Sequence, residues 1–184
     1  MRNFIFIIYY IVIANLIITS GAFSKTQKCN FKQNICNTLD KVVGIKTPMM
    51  IASGTIIDDN FIVTNRHVVE DHLQFIIKFN NGEIRKAFPL PHNFPTDLAL
   101  LSLEQTPQKL NKLPKSKQIT GKIRVIAYDQ GRNANRIYRA GQIISFSDFE
   151  KFPQARIHTN AKSLPGNSGG SVVDENGQLI GILA

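Results

Sequence analysis

Cysteine is scarce in this 184-residue chain, with two residues, and tryptophan is absent. Two thiols cannot build a disulfide-dense scaffold or a four-cysteine zinc site. No heptad pattern, long amphipathic helix or internal repeat is present, which excludes coiled-coil, helical-bundle and solenoid architectures. Acids are also few, at 13 against 22 Lys plus Arg, for a formal charge of +9. With 43% apolar and 19% charged residues the chain has enough apolar surface for a core and is not a disordered polymer. Its length suits one domain, or two small barrels sharing a core.

The basic excess has a focus at Lys109, Lys112, Lys115, Lys117, Lys122 and Arg124. No nucleic-acid motif accompanies it and aromatics are not interleaved, so it reads as a solvated linker and no nucleic-acid partner is expected. The N-terminus is different in kind. Arg2 is followed by an apolar run over residues 4–18 and then by the small residues Ser20, Gly21 and Ala22. That is the pattern of a signal peptide over residues 1–22, with an uncleaved membrane anchor as the alternative. Cleavage leaves a chain of charge about +8, exported to the periplasm or beyond the cell. Outside the cytosol Cys29 and Cys36 can oxidise into a small loop that tethers the N-terminal segment, residues 23–41.

From Val42 onward, short apolar runs alternate with turn residues, the all-β signature. Strands are expected over 54–57 and 61–64 around Asp58, Asp59 and Asn60, then over 74–79 and 83–87 around Asn80, Asn81 and Gly82, then over 98–103. A polar, Lys-rich linker over 104–120 follows. Strand patterns resume at 122–127, 136–139, 142–146, 156–159, 171–174 and 178–183. The one helix expected in the first half is a single turn at residues 67–70. Two strand blocks joined by a linker imply two packed β-barrels, over about 42–103 and 121–184.

Three segments carry chemistry. Val63-Thr64-Asn65-Arg66-His67 ends a strand in a histidine; Thr96-Asp97-Leu98-Ala99 places an acid at the mouth of an apolar strand; Pro165-Gly166-Asn167-Ser168-Gly169-Gly170 is a serine in a glycine-rich turn. A serine hydroxyl is a weak nucleophile near neutral pH and needs an adjacent base. Histidine suits that task, and a carboxylate behind it orients the ring and stabilises its charged form. Glycines let the turn approach a substrate without a Cβ in the way. The backbone N–H groups of Gly166 and Ser168 can converge on an oxyanion. The turn lacks the lysine of a phosphate-binding P-loop.

Taken together, the segments resemble the trypsin/chymotrypsin-like serine peptidases, particularly the bacterial HtrA/Deg-type and related trypsin-like peptidase domains. The likeness runs from Ser53 to Ala184 and includes Ser53-Gly54-Thr55-Ile56-Ile57 and Gly177-Gln178-Leu179-Ile180-Gly181-Ile182. It implies an all-β double barrel with the active site in the cleft between barrels. It also implies a serine endopeptidase acting on protein or peptide substrates through an acyl-enzyme, with no cofactor or metal. By that likeness His67 is the general base, Asp97 its orienting partner and Ser168 the nucleophile, with Gly166 and Ser168 supplying the oxyanion amides. Asn167 stands where the digestive enzymes carry an Asp that pairs with a newly cut N-terminus, so that activation route is not expected. His72, His92 and His158 match no required position, although His158 lies close enough in sequence to the serine turn to line the cleft.

The sequence departs from the family at its end. The family adds a further strand and usually a helix beyond the segment at Ala184, so the second barrel is expected to be incomplete, and no PDZ domain is expected within these residues. A fragment, a shortened gene and a barrel completed by a partner are all compatible with this. An open sheet edge invites pairing, a homo-oligomer included. The rival functional class is a peptide-binding module that holds a chain without cutting it. Lys162 and Ser163 lie where a pocket floor is expected, without fixing a specificity.

Overall fold

The structure is a computed structural model in which residues 29–58, 60–70, 72–91, 96–103, 121–146 and 157–184 are described. The signal-peptide reading of residues 1–22, the linker over 104–120 and His92 lie outside the described residues.

Short apolar runs separated by turn residues form six strands in the first half: β1 (Val42–Lys46), β2 (Ile51–Asp58), β3 (Phe61–Thr64), β4 (Phe75–Lys78), β5 (Ile84–Leu90) and β6 (Ala99–Leu103). They close into an antiparallel barrel in the order β1-β2-β3-β6-β5-β4, the last seam formed by β1 and β4 with Gly44 opposite Lys78. Closure removes the sheet edge and gives the inward residues one shared interior. That interior is filled by Val43, Ile45, Ile56, Ile62, Phe75, Ile77 and Leu101, all essentially inaccessible. The β4–β5 hairpin turns at Asn80-Asn81-Gly82, where only Gly82 takes the left-handed conformation, at φ +88°. Its N–H bonds the Phe79 carbonyl at 3.0 Å.

The second half supplies β7 (Lys122–Asp129), β8 (Ala134–Ile137), β9 (Gly141–Phe146), β10 (Ile157–Thr159), β11 (Ser171–Asp174) and β12 (Leu179–Ile182). The sheet runs β10-β9-β7-β11-β12, with β8 also paired to β7. It curls as a half-barrel around Ile123, Val125, Ala127, Tyr138 and Val172 and, among the described residues, does not close. The result is a mostly-β double barrel whose second barrel is open among the described residues.

Two sequence expectations need correction. The turn of helix near His67 runs Arg66–Val69 (α2), and it is not alone. A helical turn at Gln33–Cys36 (α1) and a 3-10 turn at Asn37–Lys41 precede β1. These turns are too short to show a 3.6-residue periodicity, and they are stabilised by packing on the half-barrel. The strand expected at 136–139 is displaced to Ala134–Ile137, because the ladder pairs Asp129 with Ala134 across a tight turn.

Cys29 and Cys36 are joined by a disulfide. The loop they close lies on the second barrel: Asn34 Nδ2 donates to the Asn176 carbonyl at 2.6 Å and Arg124 stacks over the Phe31 ring at 4.8 Å. Asn135 Nδ2 donates to the Leu39 carbonyl at 2.8 Å and to the Val42 carbonyl at 2.5 Å. Val42 then leads into a small core with Ile126 and Val173 that joins the two barrels.

Candidate active site

The first barrel positions His67 and Asp97 through one strand pair. β3 and β6 are antiparallel with Thr64 opposite Ala99, so continuing that register past the ladder carries Asp97 to the level of Arg66 and His67. Val68, 1% exposed, pins the helical turn to the barrel core and leaves the His67 ring at the surface. The Asp97 carboxylate uses both oxygens on the same residue. Oδ2 lies 2.7 Å from His67 Nδ1, and Oδ1 accepts the His67 backbone N–H at 3.1 Å. A carboxylate at Nδ1 places the ring proton there and leaves Nε2 as the acceptor, the tautomer a general base requires.

The serine turn is shaped locally and then docked. Leu164-Pro165-Gly166-Asn167 is a type II turn. Proline presets its first central residue and Gly166 takes the second at φ +91°, while the Asn167 N–H bonds the Leu164 carbonyl at 3.0 Å. The Asn167 side chain, 1% exposed, closes the turn from inside. Oδ1 accepts the Leu164 N–H at 2.8 Å, while Nδ2 donates to the Tyr138 hydroxyl at 3.0 Å and the Tyr128 carbonyl at 3.2 Å. An asparagine satisfied this fully needs no partner from a new N-terminus.

β2 of the first barrel grips the same turn. Ser53 N–H donates to the Ser168 carbonyl at 2.8 Å, Ser53 Oγ to the Gly166 carbonyl at 2.8 Å, and Thr55 Oγ1 to the Gly169 carbonyl at 3.0 Å. Gly169 is obligatory here. A Cβ would lie 2.0 Å from the Ser53 oxygen and 2.4 Å from Thr64 Oγ1, at a φ of +86° that side chains rarely adopt. Thr64 precedes His67 by three residues and Gly169 follows Ser168, so this contact brings the histidine and serine segments together.

The three sequence-derived residues therefore differ in how far they are joined. His67 and Asp97 are directly bonded. Ser168 is tied to the first barrel through its backbone carbonyl, which accepts the Ser53 N–H, and among the described residues its hydroxyl makes no hydrogen bond to His67. Catalytic hydrogen bonds in ligand-free enzymes are often long and tighten on substrate binding. The Gly166 and Ser168 N–H groups donate to no acceptor among the described residues, which leaves both available for an anionic oxygen.

A cavity of about 490 Å³ opens between the barrels. Asn65, Thr96, Asp97 and Leu98 form its first-barrel wall, and Ile123, Ile143, Val172 and Ile180 its apolar second-barrel wall. His158 and Ser163 also line it, whereas Lys162 is exposed and is not among its lining residues. No local sequence pattern marks Asn65, Tyr128 or Tyr138. Ser53 and Thr55 stand out in the sequence only through the family resemblance, because an inter-barrel hydrogen bond leaves no local pattern.

Comparison with known proteins agrees with this geometry. The chain is 29% identical over 158 residues to the serine endoprotease DegS of Salmonella typhimurium, covering 83% of this chain and 43% of that protein. It is 30% identical over 132 residues to a probable periplasmic serine endoprotease DegP-like of Chlamydia trachomatis, covering 68% and 26%. The chain thus spans less than half the length of these curated relatives. The crystal structure of the serine endoprotease from Yersinia pestis superposes with a TM-score of 0.70 at 25% identity, covering 85% of this chain and 57% of that one. Residues 52–182 match the trypsin-like peptidase domain, so the chain belongs to that family of serine endoproteases.

Proposed function

We propose that the chain carries the catalytic site of an exported serine endopeptidase, with His67 as general base, Asp97 as its orienting carboxylate and Ser168 as nucleophile. The observation that carries this reading is the two-oxygen clamp of Asp97 on His67 beside a serine turn whose two candidate oxyanion amides are uncommitted. His67 Nε2 takes the Ser168 hydroxyl proton as Oγ attacks the carbonyl carbon of a peptide bond. The developing oxyanion is met by the Gly166 and Ser168 N–H groups, each such donor contributing about 3–4 kcal/mol to transition-state stabilisation. The C–N bond breaks as the imidazolium returns its proton to the leaving amine. Water, deprotonated by the same ring, then releases the acyl group. The substrate is a protein or peptide strand, and the cavity beside Asp97 offers an apolar surface for one of its side chains.

Export is supported by the leader-like residues 1–22 and by the Cys29–Cys36 disulfide, since such bonds persist in oxidising compartments. The word periplasmic in the name of the Chlamydia trachomatis relative points to the same compartment.

Reaction of the purified chain with a fluorophosphonate, followed by mass spectrometry, tests the site. The adduct is expected on Ser168 and is expected to vanish in Ser168→Ala and His67→Ala, together with hydrolysis of an unfolded protein substrate. A wild-type chain that stays unlabelled and binds peptides as Ser168→Ala does is instead a binding module.

A further inference from the structure

Asn65 sits between the residue that ends β3 and the helical turn that bears His67, and it is fully buried. Asparagine at such a position ordinarily turns its side-chain oxygen onto a backbone N–H of the first helical turn. Here it makes no such cap. The N–H it would serve, that of His67, is bonded by the Asp97 carboxylate at 3.1 Å. The Asn65 amide reaches the other way, Nδ2 donating to the Asp97 backbone carbonyl at 2.9 Å. Its own carbonyl still accepts the Val68 N–H at 3.2 Å.

The capping role has been exchanged. Asp97 caps the His67 turn from the segment that leads into β6, and Asn65 holds the backbone from which that carboxylate projects. Resting on the peptidase reading above, we propose that Asn65 is the positioning residue of the His67–Asp97 pair, and that it aligns Asp97 by donating to its carbonyl.

Two features argue against simple space-filling. Among the described residues Asn65 Oδ1 has no hydrogen-bond partner, which is costly for a buried polar atom and is tolerated where another contact of the group is required. The residue also borders the inter-barrel cavity beside Asp97, so an apolar residue of similar size would fit there at lower desolvation cost. What such a residue lacks is the donor. Around Asp97 the other backbone restraint among the described residues is a tight turn, Leu98 N–H to the Thr96 carbonyl at 2.8 Å. Without the Asn65 donor, Asp97 can rotate about that turn and its carboxylate leaves the His67 ring.

The test compares the full chain with Asn65→Ala and with the near-isosteric Asn65→Asp, which fills the same volume but sets an oxygen against the Asp97 carbonyl. A displaced catalytic group costs about a hundredfold in turnover. Both variants are expected to lose about that much in kcat. KM is expected to shift as well, because Asn65 also lines the cavity proposed for a substrate side chain, so the KM change does not decide the test. A second readout needs no peptidase activity: the low-field proton resonance of His67 Nδ1–H, which reports its bond to Asp97. It is expected to move upfield or exchange with water in both variants, while circular dichroism keeps the wild-type spectrum. If the resonance and kcat survive in Asn65→Asp, the residue is packing only and the proposal fails. If the wild type neither cleaves nor labels, the peptidase reading fails, yet the resonance still decides whether Asn65 orients the pair.

Discussion

Asn167 shows how much one side chain organises at the residue scale. It spends its whole amide on the serine turn and on two tyrosines behind it. Replacing it by alanine removes the acceptor of the part-buried Leu164 N–H and strands the buried Tyr138 hydroxyl, and an unmet buried polar group costs about 1–3 kcal/mol. For a protein of this size each kcal/mol lowers Tm by about 2–4 °C. Asn167→Ala is therefore expected to melt several degrees below the wild type and to react more slowly with the fluorophosphonate, because the Gly166 N–H loses its fixed direction. Asn167→Asp is expected to be worse, since a carboxylate then faces the Tyr128 carbonyl in place of a donor. Thermal melts followed by circular dichroism read both, and an Asn167→Ala chain that melts with the wild type would show the turn is held by other contacts.

The element most dependent on covalent support is the segment of residues 29–41. Its two helical turns are too short to persist alone, and they hold to the half-barrel by a few side-chain contacts and the disulfide. Closing a loop this short restricts the unfolded chain by about 2 kcal/mol in the chain-entropy model. Mild reduction is thus expected to lower Tm by several degrees and to release the amide protons of Ile35 and Cys36, which bond the Lys32 carbonyl at 3.0 Å. The barrel strands should keep their protection. Hydrogen exchange with and without reductant checks this, and unchanged exchange at Ile35 and Cys36 would mean packing alone holds the segment. The tethering role of the two cysteines was legible from their spacing. The surface they tether to was not, because Asn34 and Asn176 are 142 residues apart.

Across the whole molecule the two barrels meet at Tyr128. Its ring packs so closely on Gly44 that a Cβ there would lie 2.8 Å away, its N–H donates to Ser53 Oγ at 2.9 Å, and its hydroxyl donates to the Asn133 side chain. Burial disfavours the phenolate, so the Tyr128 pKa is raised above its ordinary 10.0. The unfolded chain therefore loses this proton first, and stability from the shift is complete below pH 10 and is lost as pH rises through the higher folded value. Melting temperature measured between about pH 9 and 11 is expected to fall, and Tyr128→Phe should flatten that fall while lowering the plateau through loss of the Asn133 bond. An equal alkaline slope in both chains would assign the effect to other groups.

Much of this architecture was already readable one segment at a time. Short apolar runs bounded by turn residues, such as Phe75–Lys78, specify strands, although which of their residues is buried is decided by the side-chain period of two in the folded sheet. Gly82 and Gly177 mark turns because few other residues accept positive φ. The His67, Asp97 and Ser168 segments stood out because each combines a reactive side chain with a strand end or a glycine turn. Tertiary structure alone decided what joins them. Ser53 on the Gly166 carbonyl, Thr55 on the Gly169 carbonyl and Asn65 on the Asp97 carbonyl link residues 113, 114 and 32 positions apart. Such contacts arise from which strands lie side by side once the barrels close. A serine, a threonine or an asparagine at a strand end has the same local sequence character whether its partner is water or an active-site carbonyl.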